Sequence, residues 1–160
     1  MKVQDVMTRD VKFCGPDTNL AVAAEIMRRN NYDALLVLDS SGRVLGLVTG
    51  RDMFIALGTR NWRAGDFAVR HLALTNVMTC GPNDDVHEAL QIMRKQRVAR
   101  VPVVDENGKL AGIVSLDDLV LHAEKDMRKS SAGISYDDIV NTMKAIREHR
   151  GSASKPTARQ

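Results

Sequence analysis

The stretch Gly46-Leu47-Val48-Thr49-Gly50-Arg51-Asp52 occurs a second time as Gly112-Ile113-Val114-Ser115-Leu116-Asp117-Asp118. In each copy an apolar strand ends in a hydroxyl residue, and a carboxylate follows three residues later in a predicted helix start. The pattern has two interpretations. Thr49 is an N-cap and Asp52 completes its capping box, or the helix N–H groups attract phosphate while the carboxylate accepts the hydroxyls of a ribose. Taken singly, each copy favours capping.

These stretches are parts of a longer internal repeat. At an offset of 66 residues, Cys14-Gly15-Pro16-Asp17 matches Cys80-Gly81-Pro82-Asn83. Further upstream, Val6-Met7-Thr8 matches Val77-Met78-Thr79 at an offset of 71, so copy one has five additional residues. This insertion, around residues 9–13, predicts a short strand. The chain therefore holds two copies of one unit.

The pattern of apolar and turn residues predicts a β-α-β-β-α order in each copy. Asp17 or Thr18 is expected to cap the first helix, which ends near Asn30. The predicted elements that follow are strands 34–38 and 44–48 and helix 50–57 in copy one, and helix 84–96, strands 99–104 and 110–114 and helix 116–127 in copy two. One such unit cannot cover both faces of a small sheet. We therefore expect an α+β fold with two small sheets and flanking helices, related by a pseudo-twofold axis.

The repeat also suggests how the chain is divided. We expect a first module at residues 1–57, a linker at 58–73 and a second module at 74–127. A C-terminal helical extension at 128–149 carries Ile139, Val140, Met143 and Ile146 on one helical stripe. Residues 150–160, rich in Ser, Lys, Pro and Thr, predict a disordered tail.

Composition excludes several classes of function. The chain is 44% hydrophobic and 27% charged, and it has no apolar run of the length of a membrane helix or signal peptide. We therefore expect a cytoplasmic protein without membrane contacts. The net charge of +3 is not gathered into a basic stripe, so nucleic acid is an unlikely partner. Cys14 and Cys80 lie next to no histidine, and no motif predicts a metal site, a catalytic residue or an enzyme.

The repeat resembles a known family. Val-Met-Thr, Pro-Asp or Pro-Asn, a helix, and a strand-turn-strand ending in Thr/Ser-x-x-Asp are typical of the CBS domain, and the segment 100–108, Arg-Val-Pro-Val-Val-Asp-Glu-Asn-Gly, is especially so. The tandem over residues 1–127 is similar to a CBS pair, or Bateman module. The resemblance implies two related sites in a cleft between the modules. Such sites take AMP, ADP, ATP, NAD or S-adenosylmethionine as regulatory ligands, with no cofactor required.

The resemblance also implies the roles of individual residues. Asp52 and Asp118 correspond to the ribose-binding aspartates, and Thr49 and Ser115 to the hydroxyls on the phosphate side. The full expected ligand-binding set is Thr49, Arg51, Asp52, Ser115, Asp118, Arg100, Ala99, Ile113, Tyr32, Asp33, Ala34 and Leu47. The copies differ before the aspartate, where Arg51 adds a cation and Asp117 an anion, so we expect the Asp52 site to prefer phosphate-bearing ligands.

Two functions follow as hypotheses. The first is a non-catalytic sensor in which an adenosine ligand changes the relative pose of the modules and so signals to a separate effector protein. The alternative is a scaffold dimer with vestigial ligand sites. Either way the resemblance implies a homodimer, because CBS pairs commonly associate through their helices, and apolar stripes occur on the predicted helices at Met53, Ile55 and Ala56 and at Leu119 and Val120.

Overall fold

The structure is a computed structural model that describes residues 1–72, 76–124 and 133–151, with the backbone alone for residues 149–151. The elements follow in the order β1 (Phe13–Cys14), α1 (Leu20–Asn30), β2 (Ala34–Leu38), β3 (Val44–Thr49), α2 (Gly50–Arg60), α3 (Val86–Gln96), β4 (Arg100–Val104), β5 (Leu110–Ser115), α4 (Leu116–Leu121), β6 (Ala123–Glu124), β7 (Ile134–Ser135) and α5 (Tyr136–Gly151). This order confirms the predicted α+β class and the repeated helix-strand-strand-helix arrangement. The predicted tail beyond residue 151 lies outside the described residues.

The chain divides into two compact units, which we name after their aspartates. The Asp52 unit contains the described residues of Asp10–Val77 together with Asp105–Leu110. The Asp118 unit contains Met1–Arg9, Met78–Val104 and the described residues from Ala111 onward. The module boundaries expected from the repeat remain a prediction.

The Asp52 unit is built on a three-stranded sheet. Strand β1 pairs in parallel with β2, which pairs antiparallel with β3 so that Ala34 lies opposite Thr49. Helix α1 begins after Asn19, whose side chain accepts a hydrogen bond from the Val22 N–H at 2.8 Å. The cap is therefore one or two residues later than we expected, because the side chain of Thr18 turns back to the Gly15 N–H. The helix ends at Asn31 in the left-handed conformation.

The core of the Asp52 unit lies between the sheet and its two helices. Its fully buried side chains are Leu20, Ala23, Leu35, Val37, Val48 and Val69. Burial of one such Leu or Val side chain contributes about 1.5–3 kcal/mol. This core fixes the end of β3, and with it the start of α2, where the motif residues lie.

The Asp118 unit is built on strands β4 and β5. The first residues of the chain complete it, since Val3 is fully buried in its core and Thr8 exchanges two backbone hydrogen bonds of 2.9 Å with Ile113. Gly112 is required here, because a Cβ atom at this position would lie 2.8 Å from the Thr8 carbonyl oxygen. The Cys80 backbone adds a parallel bridge to Val103 on the other side.

Helix α4 is shorter than we predicted. It ends at Leu121 rather than near residue 127, and residues 125–127 lie outside the described residues. After His122 the chain forms β6, which pairs in parallel with β7 and places Ala123 opposite Ile134. Ile134 is fully buried, so this pairing serves the core of the unit.

Helix α5 confirms the predicted C-terminal helix and packs on α3 and α4. Ile139 and Thr142 are buried, and Ile146 packs against the same core. The Thr142 hydroxyl accepts from Arg94 Nε at 3.0 Å and donates to the Asp138 carbonyl at 2.7 Å. Of the expected stripe, Val140 and Met143 are instead exposed.

Candidate functional site

The strand-to-helix junction of the Asp52 unit is held by a reciprocal capping box. The Thr49 hydroxyl accepts from the Asp52 N–H at 3.1 Å and donates to Asp52 Oδ2 at 2.6 Å. The same carboxylate oxygen accepts from the Thr49 N–H at 3.1 Å. Both interpretations of the motif begin from this geometry, because capping engages a single oxygen of the aspartate. No described residue donates to Oδ1 of Asp52.

The neighbouring strand β2 brings the other predicted residues to this junction. The Gly50 N–H donates to the Asp33 carbonyl at 2.9 Å, and Ala34 lies beside Thr49 in the sheet. Tyr32 and Asp33 are exposed. The predicted residues Leu47, Thr49 and Asp52 are half-buried, and Arg51 is exposed. Arg51 makes no hydrogen bond or ion pair with any residue that the structure describes.

The Asp118 unit repeats this geometry closely. The Ser115 hydroxyl accepts from the Asp118 N–H at 3.1 Å and donates to Asp118 Oδ2 at 2.6 Å, and the Ser115 N–H donates to Oδ2 at 2.9 Å. The Leu116 N–H donates to the Ala99 carbonyl at 2.8 Å, the counterpart of the Gly50 bond. Oδ1 of Asp118 likewise accepts no hydrogen bond within the described ranges. The structure therefore places Ala99 and Ser115 together at this junction.

The other predicted residues of the Asp118 unit lie on its two strands. Arg100 begins β4 and is half-buried with a bonding partner, and Ile113 is half-buried on β5 next to Thr8. Ser115 is 9% exposed, which makes it less accessible than Thr49. Asp117 is exposed in the first turn of α4.

A third helix start has the same capping box, which sequence analysis missed. The Ser135 hydroxyl donates to Asp138 Oδ2 at 2.7 Å and accepts from the Asp138 N–H at 3.1 Å. The sequence contains the pattern, because Ile134-Ser135-Tyr136-Asp137-Asp138 repeats the order of apolar, hydroxyl, apolar and two acidic residues found at 114–118. The Ser135 hydroxyl lowers the pKa of the Asp138 carboxyl. Thr/Ser-x-x-Asp is thus a capping device of this chain in general.

The third aspartate differs from the other two in how its carboxylate is engaged. His87 Nε2 lies 3.7 Å from Asp138 Oδ2, and Arg94 Nη2 lies 4.0 Å from Oδ1. Both oxygens therefore face cationic or polar groups of α3. Among the described contacts, Oδ1 of Asp52 and Oδ1 of Asp118 form no ion pair, whereas Oδ1 of Asp138 lies at ion-pair distance from Arg94.

A small cavity of about 170 Å³ lies beside Asp52 in its unit. It runs along one side of α2 and is lined by Asp52, Ile55, Ala56, Thr59, Arg60 and Leu72. The guanidinium of Arg60 lies 4.8 Å from the centre of the Trp62 ring, and Trp62 stacks on Phe67. Arg60 and Leu72 fall within residues 58–73, which the repeat predicted to be a linker. The cavity combines a carboxylate, a cation and an apolar wall.

The two cysteines are buried in the cores of their respective units. Burial raises the pKa of the Cys14 thiol to about 11 and that of Cys80 to about 12. A thiol of this kind is protonated at neutral pH and a poor nucleophile. Within the part of the chain that the structure describes, no cluster of three or more His, Cys, Asp or Glu side chains could hold a metal ion.

Comparison with known proteins identifies the repeat. The sequence model of the CBS domain matches residues 3–59 and again residues 69–125. The chain belongs to the CBS-domain family. It is 32% identical over 137 residues to the CBS domain-containing protein YhcV of Bacillus subtilis, covering 86% of this chain and 94% of YhcV. It is 34% identical over 140 residues to the uncharacterized protein YlbB of the same bacterium, covering 82% and 88%.

Solved CBS structures share the fold. Hypoxic Response Protein I, crystallised with two coordinated zinc ions, is 29% identical with a TM-score of 0.69, covering 76% of this chain and 98% of that chain. The CBS domain pair of MJ0100, in complex with 5'-methylthioadenosine and S-adenosyl-L-methionine, is 25% identical with a TM-score of 0.66 and the same coverage. CBSX2 in complex with AMP is 22% identical with a TM-score of 0.63, covering 75% and 93%, and shows the fold alone. None of the described helices of the present CBS protein is long and apolar enough to cross a membrane.

Proposed function

We propose that this CBS pair is a non-catalytic regulatory protein that binds an adenosine-containing ligand at its Thr/Ser-x-x-Asp junctions. The observation that carries the proposal is the free carboxylate oxygen. Asp52 and Asp118 hold their caps through Oδ2 and keep Oδ1 available to accept the hydroxyls of a ribose. Asp138, in the same capping geometry outside the repeat, differs in that its Oδ1 lies 4.0 Å from Arg94 Nη2, an ion-pair distance.

The surroundings of Asp52 fit the remainder of such a ligand. The cavity beside the aspartate offers an apolar wall from Ile55 and Leu72 for a ring system. The N-terminal end of the α2 dipole attracts phosphate, and the exposed Arg51 side chain adds a cation that pairs with no described residue. The complex of MJ0100 with 5'-methylthioadenosine and S-adenosyl-L-methionine supports adenosine compounds as the ligand class. AMP, ADP, ATP, NAD and S-adenosylmethionine all share the group that Asp52 would hold.

The proposed output is a signal to a separate protein, in a cytoplasmic setting, from a homodimer. Three of the residues expected at the dimer surface, Met53, Ala56 and Leu119, are buried in their own units and therefore cannot contact a second copy. The exposed apolar residues beside them are Phe54, Ile55, Val120 and Leu121. These side chains are the proposed association surfaces of helices α2 and α4.

A thermal-shift screen tests the proposal. AMP, ADP, ATP, NAD, S-adenosylmethionine and adenosine are each added to the full chain, with GMP as the control for the base. A ligand present at about 100 times its Kd should stabilise the protein by about 2.7 kcal/mol, which raises the melting temperature by several degrees. The absence of a shift with every adenosine compound would favour the scaffold alternative, in which the sites are vestigial.

A further inference from the structure

Helix α5 has an exposed apolar stripe beside its buried face. Ile139 and Thr142 are buried in the Asp118 unit, whereas Tyr136 is 52%, Val140 44% and Met143 37% exposed. With the exposed Arg147, the residues of the stripe are separated by four, three and four positions. That spacing is the a/d seam of a coiled coil over about three helical turns. We call Tyr136, Val140, Met143 and Arg147 the α5 stripe.

The charges along the edge of the α5 stripe are polarised. Asp137 lies in the first turn of the helix, and Lys144 lies seven residues later on the same edge. Both are exposed, and neither forms an ion pair with a described side chain. The N-terminal end of the stripe is thus acidic, and the other end carries Lys144 and Arg147 together with the exposed Glu148.

We propose that the α5 stripe binds the α5 stripe of a second copy of this chain in the antiparallel direction. In that register Val140 of one copy lies opposite Met143 of the other, and Tyr136 lies opposite Arg147, a cation–π pair. Residues that flank the seam of a coiled coil pair with the flanking residues of the other helix. Asp137 of each copy therefore faces Lys144 of the other, which gives two such pairs related by the twofold axis. A parallel arrangement would instead place Arg147 on Arg147 in the seam and would leave Asp137 without Lys144 as its partner. The charges therefore select the antiparallel second copy as the occupant.

The contact is small, and that sets its strength. The twelve residues from Tyr136 to Arg147 span about 18 Å of helix. The surface area buried between two such helices is therefore below about 1,200 Å², the range of weak protein–protein interfaces. We expect dissociation constants in the micromolar range or weaker. This surface is distinct from the exposed residues of α2 and α4 and from the ligand junctions, so it does not depend on the proposed ligand.

Two charge-reversal variants test the proposal, Asp137→Lys and Lys144→Asp. Each variant alone places like charges across both edge contacts, and self-association should weaken about tenfold at low salt. Mixing the two restores opposite charges at both contacts. Labelled copies of Asp137→Lys should therefore bind Lys144→Asp more tightly than either variant binds itself, as measured by fluorescence energy transfer over a concentration series.

The controls separate this surface from a general charge effect and from the α2 surface. Asp66→Lys makes the same charge change at an exposed position of the Asp52 unit and should leave self-association unchanged. Circular dichroism checks that both α5 variants are folded. Equal affinities for the mixed pair and for each variant with itself would overturn the proposal. The proposal would also be overturned if Ile55→Glu abolished self-association while neither charge reversal on α5 affected it.

Discussion

At the scale of single residues, the cysteines show how burial decides chemistry. Cys14 and Cys80 occupy equivalent positions of the repeat, and each is 4% exposed. Desolvation is the first cause of the raised pKa of both thiols. Burial disfavours the thiolate, so these residues act as small apolar side chains of the core.

The raised thiol pKa values predict a stability change at alkaline pH. As pH rises past about 9, the ordinary thiol value, the unfolded chain releases protons before the folded chain does. The thiol contribution is therefore fully present below pH 9 and is lost as pH rises towards about 11. Cys14→Ala and Cys80→Ala should each cost about 1–2 kcal/mol at pH 7 and flatten the alkaline loss in urea unfolding. An unchanged alkaline slope in both variants, or loss of ligand binding with the fold intact, would contradict this account.

The residue before each aspartate predicts a difference between the two junctions. A hydrogen bond from arginine to phosphate contributes about 1.5–3 kcal/mol, so Arg51→Ala should weaken AMP binding about tenfold and leave adenosine binding nearly unchanged. Asp117→Ala, which removes an anion from the other junction, should instead strengthen phosphate-ligand binding there. Calorimetry with AMP and adenosine measures both. If Asp118→Ala abolishes AMP binding while Asp52→Ala and Arg51→Ala leave it intact, the assignment of the phosphate site is wrong.

At the scale of elements, local signals predicted most of the structure. Periodicity and turn residues predicted α1, α3 and strands β2 to β5 to within two residues, because capping and alternation depend on neighbouring positions in the sequence. Strands β6 and β7 were not predicted. The end of α4 was not predictable in this way. Residues 122–132 contain neither Gly nor Pro to stop a helix. The helix ends instead where β6 pairs with β7, a contact with residues more than ten positions away.

The docking of α5 on α3 gives an element-scale prediction. Ile139 is buried in the core of the Asp118 unit, whereas its neighbour Asn141 is exposed. Ile139→Ala should lower the free energy of unfolding by about 2–4 kcal/mol through lost burial and a cavity. Asn141→Ala, the matched surface change, should stay within about 0.5 kcal/mol of the parent. Urea unfolding compares the two, and equal small losses would show that α5 contributes little to the unit.

At the scale of the whole molecule, the composition of the two units depends on contacts between distant segments of the chain. Val3 donates to the Asp84 carbonyl at 2.9 Å, so the first residues complete a core formed mainly from residues beyond 77. Such pairing between distant segments depends on tertiary contacts that a repeat alone does not specify. For the site, the repeat pointed to the junction residues but not to Arg60, which lies about two turns from Asp52 on the same helix, or to Leu72, which reaches the cavity only after the chain folds back.

The exposed apolar residues of α2 and α4 predict a homodimer. Light scattering at micromolar concentration should give twice the chain mass of 17.7 kDa. Phe54→Ser, at a residue 77% exposed, should shift the mass towards one chain without loss of folded stability. The matched change Thr59→Ser, exposed on the same helix, should leave the dimer intact. A single-chain mass for the parent protein would contradict the prediction.

The most direct test of the ligand account is calorimetry of AMP with Asp52→Ala beside Asp138→Ala. Both changes remove the same capping box from a helix start, so each should cost about 1 kcal/mol or more of stability. The two differ in one respect, since Oδ1 of Asp138 lies at ion-pair distance from Arg94 and Oδ1 of Asp52 forms no ion pair among the described contacts. We predict that AMP binding is lost in Asp52→Ala and is unchanged in Asp138→Ala. Equal AMP affinities in the two folded variants would show that Asp52 is only a helix cap, and would contradict the central claim.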